Sequence, residues 1–424
     1  MVRTVPLGPA EPVTLVVAGA GMRGMIYARR AVLEGRARIV ALAEPRADIR
    51  EAAAAEFGID PSRVFADWRE LAAAGRLADA AVVATQDSMH TEPAVVFAEL
   101  GYHLVLEKPM APTEEESARI VAAAEKAGVM LAVCHVLRYT PYTRALKALI
   151  DSGRIGTIAS IEHLEPVGWW HQAHSFVRGN WRSEAESSSM LLQKSCHDID
   201  WLIHLMGQVP TRVASFGSLL HFRPENKPDG AADNCLDCGV EAGCPYSAKR
   251  IYTGFLGHPD TRHWPLSVVT TDHTEEGVLA ALRTSRYGAC VYSGGNDVVD
   301  HQVVTMEFAT GGTVSFTMTA FTAADHRKTR IFGTHGSVEG DGVRLRVHDF
   351  TTDTVETIDT GSGEDGTAAA GHGGGDEMLL DAFVEAVRTG DRSLILTDAR
   401  DSLASHQVVW AAERARKTAR VVAL

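Results

Sequence analysis

Residues 13–24 read VTLVVAGAGMRG. An apolar run at 15–18 meets Gly19-x-Gly21-x-x-Gly24, and the pattern continues as a helix through 25–33. This is the strand, turn and helix context that a dinucleotide fingerprint needs. The first glycine permits the tight turn, the second lets backbone approach a pyrophosphate, and the third lets the helix pack on the strand. The start of the helix, with Met22 and Arg23, offers N–H groups to the phosphates. A second apolar run at 39–43 ends in Glu44, about twenty residues after Gly24. An acid at that strand tip accepts hydrogen bonds from a ribose diol and repels a 2′-phosphate, so the reading is NAD over NADP, although Arg46 could hold that phosphate. The competing reading is a glycine turn in some other α/β domain.

The rest of the chain sets bounds on this reading. It has 424 residues, enough for two domains, and its 45% hydrophobic and 22% charged content is that of a globular protein. A formal net charge of −13 argues against nucleic acid or an anionic membrane as partner, but leaves an anionic small substrate open. The opening MVRTVPLGPAEP has no apolar signal core, and no run reaches the ~20 apolar residues of a membrane helix. A cytoplasmic protein with reduced thiols is expected.

From 13 to 134 short apolar runs at 15–18, 39–43, 80–84, 103–106 and 130–134 alternate with helical patterns, such as 114–127 with its Thr113 cap and Gly128 stop. This is a doubly wound parallel sheet. A crossing helix is expected at 141–152. Beyond it, alternating runs at 155–164, 212–220, 303–308, 313–319, 330–332, 343–347 and 354–358 predict an open, mostly antiparallel sheet, with a helix at 190–206 and a glycine-rich loop at 361–375. The expected class is an α/β Rossmann domain plus an α+β domain. The expected boundaries are an N-terminal extension at 1–12, a dinucleotide domain at 13–140, and a substrate and oligomerisation domain at 141–424 with a cysteine-rich insertion near 221–296. The C-terminal helices, from Asp376 and Asp398, are expected to pack back on the first domain.

Thr85, Gln86 and His90 follow the third apolar run, and Glu107-Lys108-Pro109 follows the fourth, where strand ends face a nucleotide. The glycine turn, the Ala-Thr…His turn, Glu-Lys-Pro and a later histidine-bearing helix together resemble the Gfo/Idh/MocA family of glucose–fructose oxidoreductase and inositol dehydrogenase relatives. The resemblance spans nearly the whole chain and implies NAD(P)-dependent hydride transfer at a sugar or cyclitol carbon. It makes Lys108 the active-site lysine that contacts the reacting hydroxyl.

The second half of the family's site carries glycines, an aspartate, and a histidine four residues on. Here serines 187–189 replace the glycines, Gln193 stands at the aspartate's place, and His197 is kept. Gln193, His197, Asp200 and His204 share a helical face, with Lys194 offset by about 100° towards its rim. His197 suits the base that takes a hydroxyl proton as hydride leaves; a core histidine is the competing reading. The lost aspartate puts an ordinary dehydrogenase mechanism in question.

Trp169, Trp170, His171, His174, Arg178, Trp181 and Arg182 lie within one short stretch. Indole faces stack on sugar C–H bonds and guanidinium groups fork onto anions, so an anionic-sugar pocket is expected, with a subunit interface as the alternative. His135, Arg138 and Tyr139 are further candidates, and Asp297, Asp300, His301 and His372 weaker ones. These features resemble the NAD-dependent glycosidases of the family, which oxidise the third ring carbon transiently, eliminate the aglycone, add water and return the hydride, in the branch acting on sulfoquinovosides. The alternatives are a sugar or cyclitol dehydrogenase releasing NADH, and a non-catalytic NAD-binding sensor. A homodimer or homotetramer through the open sheet is expected.

Cys235-x-x-Cys238 and Cys244, with Cys290 as a distant fourth, suit a structural zinc; an iron–sulfur cluster or free thiols are the alternatives. Cys134 and Cys196 read as small core residues.

Overall fold

The structure, a computed structural model, describes residues 11–258, 261, 264–361 and 372–424. Most of the expected extension at 1–12 and of the expected loop at 361–375 lies outside the described residues. The chain forms two compact units.

The first unit takes the chain up to Arg144 together with Ile199–Gly207 and Gly374–Trp410. Its sheet is built from β1 (Val13–Ala18), β2 (Ala37–Ala43), β3 (Val64–Phe65), β4 (Ala80–Val83), β5 (His103–Leu106) and β6 (Leu131–Val133), in the order β3-β2-β1-β4-β5-β6. All neighbours run parallel. Every residue of β4, β5 and β6 is buried, which is why these strands read as unbroken apolar runs: helices cover both faces. Strand order reverses between β1 and β4, so the crevice at their carboxyl ends is the topological switch point. Glu114–Ala127 is a helix capped by the Thr113 side chain and closed by Gly128 at φ 69°. The helix Gly375–Thr389, remote in sequence, buries Leu379, Leu380, Phe383 and Val384 in the same apolar cluster as Val13, Leu15 and Met25.

The second unit comprises Ala145–Asp198, Gln208–Gly373 and Ala411–Leu424. Its strands are β7 (Ile158–Pro166), β8 (Arg212–Ser218), β9 (His301–Glu307), β10 (Thr313–Thr319), β11 (Lys328–Gly333), β12 (Gly336–Gly340), β13 (Arg344–Asp349), β14 (Thr354–Asp359) and β15 (Val422–Ala423). They form one unclosed sheet, β14-β13-β12-β11-β7-β10-β9-β8-β15, in which only β7 and β10 pair parallel. Alternation along β9 and β10 buries Val304, Met306, Val314, Phe316 and Met318 on one face. Among the described residues no helix is long and apolar enough to cross a membrane.

Candidate active site

In the first unit the three glycines answer to different neighbours. Gly19 sits at φ 94°, and a Cβ there would stand 2.4 Å from the Ala84 carbonyl oxygen. A Cβ on Gly24 would stand 2.0 Å from the Gly19 carbonyl oxygen, so the helix Met22–Val32 can rest on the turn only without a side chain. Gly21 has ordinary backbone angles, and its Cβ would meet nothing nearer than an Arg46 guanidinium nitrogen at 3.5 Å. Nothing in the chain demands a glycine there; a group approaching from outside does. The helix N-terminus lies beside it, so the turn fits a pyrophosphate.

Glu44, at the tip of β2, is buried. One carboxylate oxygen accepts the Ala20 N–H at 3.0 Å and the other accepts from Arg46 Nε at 2.8 Å. The acid thus stands beside the glycine turn, as ribose recognition requires, with Arg46 folded onto it.

Met22 and Gln86 are exposed and Thr85 and Lys108 half-buried. Arg23 and Glu107, expected to face the cofactor, are used inside the unit. Glu107 Oε1 accepts from Arg23 Nε and from Tyr27 Oη, both at 2.6 Å, and Oε2 accepts the Lys108 N–H at 2.8 Å. Arg23 also pairs with Asp376. Burial would push the Glu107 carboxyl up, but the Arg23 and Lys108 charges and these hydrogen bonds hold it below the usual carboxylate range. The cluster fixes the backbone from which Lys108 projects. His90 is likewise a brace: its ring bridges the Pro109 carbonyl at 2.8 Å and the Thr85 carbonyl at 3.2 Å.

Arg138, read as a substrate ligand, forms a buried bidentate pair with Asp200, both contacts at 2.7 Å, and donates to the Leu396 carbonyl at 2.6 Å. Its fork is filled from within the unit. His135 is fully buried, and burial lowers its pKa to about 4.

In the second unit the start of the helix Met190–Met206 carries the other candidates. Gln193 donates to Ser187 Oγ and Ser188 Oγ, each at 2.8 Å. The Ser187 and Ser188 hydroxyls, absent from a glycine at either place, are thus the acceptors of the Gln193 amide. His197 follows one turn later, its ring 5.6 Å from that of His372. Lys194 Nζ lies 2.9 Å from Glu165, and Arg327 contacts the same carboxylate at 3.1 Å. Arg327 also pairs with Asp198, whose other neighbour is His163 at 3.1 Å. Burial opposes charge on Asp198, yet Arg327 and His163 hold its carboxyl well below the usual range. The Lys194–Glu165–Arg327 cluster was missed from sequence. Its signal is in β7, where His163 and Glu165 occupy alternate buried positions of a strand that should be apolar there.

The aromatic stretch departs most from expectation. His174 is buried against Tyr252 Oη at 2.8 Å, with its pKa lowered to about 3 by burial. Arg178 is also buried and bonds the Ala289 and Tyr246 carbonyls. Trp170 packs on Phe255 and Trp264, Trp169 on Tyr246, His171 on Trp264 and Trp181 on Phe176. Arg182 reaches Glu186 at 2.6 Å. The cysteine-bearing insertion covers much of this stretch, so its rings fill two small apolar clusters in place of an open sugar platform. Asp300 accepts the Leu220 and His221 N–H groups and Asp297 the Glu184 N–H, which makes both of them loop staples.

Cys134 and Cys196 are buried as core residues. Among the described residues no group of three or more histidine, cysteine, aspartate or glutamate side chains is placed to hold a metal ion, so the zinc expectation finds no support in the side-chain placement.

Residues 13–135 match the family model described as the oxidoreductase family, NAD-binding Rossmann fold, and residues 147–424 match its C-terminal alpha/beta domain. An oxidoreductase of Bacillus subtilis (strain 168) is 26% identical over 324 residues, 72% of this chain and 71% of that protein. The 2,7-anhydro-N-acetylneuraminate hydratase of Escherichia coli (strain K12) is 31% identical over 150 residues, 35% of this chain and 39% of its own length. The crystal structure of an oxidoreductase from Agrobacterium radiobacter in complex with NAD+, L-tartaric acid and magnesium superposes with a TM-score of 0.71 at 15% identity, covering 97% of this chain and 98% of that one.

Proposed function

Since the chain belongs to the Gfo/Idh/MocA family of NAD-binding oxidoreductases, we propose that it hydrolyses an anionic pyranoside, of the sulfoquinovoside kind, by oxidising the third ring carbon and returning the hydride. The observation that carries this is the exchange at Gln193: no carboxylate stands one turn before His197, and the adjacent Lys194 is held instead by Glu165. A hydratase among the relatives favours it further, because hydration is redox-neutral and a nicotinamide serving it must give its hydride back.

The glycine turn and Glu44 would hold NAD, which supplies a hydride acceptor that later acts as donor. Lys108 donates a hydrogen bond to the reacting oxygen and steadies it as a ketone. His197 takes the hydroxyl proton. The ketone acidifies the neighbouring C–H, whose proton leaves to a base as the aglycone departs. Water then adds where the aglycone left, and the ketone is reduced again. Lys194, whose Nζ meets Glu165, is the donor proposed for an anionic substituent, a role the sequence had given to Arg178 and Arg182. The acting partner is a small glycoside, and a second copy of the chain is proposed to pair through the open sheet, where Phe216, Phe332 and Val355 are exposed.

The test is turnover of nitrophenyl sulfoquinovoside and nitrophenyl glucoside with NAD present. Nitrophenol release without net NADH, with deuterium from heavy water entering the carbon next to the oxidised centre, is the expected result. Stoichiometric NADH would establish a sugar dehydrogenase, and NAD binding with neither product would establish a sensor.

A further inference from the structure

Four cysteines, three close in sequence and one remote, line one cavity of about 260 Å³: Cys235, Cys238, Cys244 and Cys290. Backbone pairing brings the distant one in. Asn234 and Ala289 form an isolated antiparallel bridge, and the Cys290 N–H donates to the Asp233 carbonyl at 2.8 Å. Cys235, Cys244 and Cys290 are near enough for charge on one to act on the others, and the Tyr246 N–H donates to the Cys244 thiol two residues before it.

Arg178 lines the same cavity and is 2% exposed. Its acceptors are the Ala289 carbonyl at 2.7 Å, the Tyr246 carbonyl at 2.8 Å and the Cys235 sulfur at 3.6 Å, with no carboxylate among them. Its Nη1 is buried with no acceptor. A guanidinium taken out of water with no counter-charge is costly, and an unsatisfied donor adds to that cost. Both are resolved if the neighbouring thiols are thiolates.

We propose that this cavity binds one redox-inert, thiophilic divalent cation of the zinc class on the thiolates of Cys235, Cys238, Cys244 and Cys290, with Arg178 donating N–H groups to the coordinated sulfurs. The four thiols line the wall of one cavity without converging on a point, and under this proposal they close on the ion as it binds. Four thiol protons are released to solvent as four metal–sulfur bonds form, leaving a site of charge −2 against the guanidinium. Four protein ligands leave no open position, so the ion is structural. It ties the insertion to the helical stretch Gln172–Arg178, which Arg178 ends.

The site is tested on the full chain purified without chelator. Elemental analysis is expected to find about one zinc per chain, and cobalt replacement to give the near-ultraviolet thiolate-to-cobalt absorption. Cys244→Ser should abolish both. Arg178→Met should keep the cobalt band but weaken the ion about 10–100-fold, the usual effect of losing an outer-shell partner. NAD affinity, titrated in parallel, should stay unchanged in both variants. Should Cys244→Ser fail to fold, wild-type chain decides: four thiols become reactive to Ellman's reagent only after chelation. A folded wild-type chain that takes up neither zinc nor cobalt on dialysis, or whose four thiols react without a chelator, overturns the proposal. So does a coloured, iron-containing chain. None of these readouts depends on substrate turnover.

Discussion

Gly21 and Gly24 belong to one turn, but only Gly24 is demanded by the fold. Gly24→Ala forces a Cβ against the Gly19 carbonyl and should lower stability by about 1–3 kcal/mol in urea titration. Gly21→Ala should fold with unchanged stability and lose at least ~10-fold in NAD affinity by calorimetry, since the lost space is that of the phosphates. Glu44 makes the complementary case. NAD should bind at least ~10-fold tighter than NADP, about 1.4 kcal/mol, and Glu44→Ala should narrow that gap by removing repulsion of the 2′-phosphate. Equal affinities in wild type would refute the ribose role. These residues were legible because a turn and a strand tip are local. Arg138 was not: its position after a strand end suggested substrate, whereas its partner Asp200 lies 62 residues away.

The helix Met190–Met206 shows what periodicity delivers at the scale of an element. Its face carrying Gln193 and His197 follows from helical spacing, and the serine acceptors of Gln193 lie just before the helix, but the Glu165 carboxylate that holds Lys194 comes from β7. His197→Ala and Lys108→Ala should each reduce turnover by about 10²–10⁴-fold, with NAD affinity nearly unchanged. Loss of NAD binding in either variant would mean that the residue supports the cofactor instead. The aromatic stretch is the opposite lesson. Its composition suggested a ligand platform, and the insertion's own apolar clusters claimed the rings. A hydrophobic side chain carries no sign of what will cover it, and an intramolecular cover is usually available.

Across the whole molecule, acid should be the destabilising condition. His103 and His135 are lowered to about 4 and His174 and His406 to about 3, each chiefly by burial. An unfolded histidine takes a proton near pH 6.5, whereas these four stay neutral until pH 3–4. The unfolded chain therefore binds more protons between those limits, and stability present above pH 6.5 falls as pH drops through that window. Denaturant midpoints should decrease steadily from pH 7 to pH 4, at up to about 1.4 kcal/mol per histidine per pH unit. Glu107 acts lower. Its carboxyl is held below the usual range, so its contribution is complete above the ordinary carboxylate pKa and is lost as pH falls below it. Glu107→Gln should remove that lower-pH part of the decline, and midpoints that are flat from pH 7 to pH 4 would contradict the histidine assignment. By itself the sequence determined the parallel sheet, the glycine turn with its acid, and the open antiparallel sheet, because each is written in patterns of at most about twenty residues: turn chemistry, strand alternation and helical period. Only the tertiary structure decided which charged groups face one another. Arg23 meets Asp376, Arg327 meets Glu165 and Asp198, and Cys290 is drawn beside Cys235. Ion pairs and thiol clusters require proximity in space alone, and no period along the chain records it.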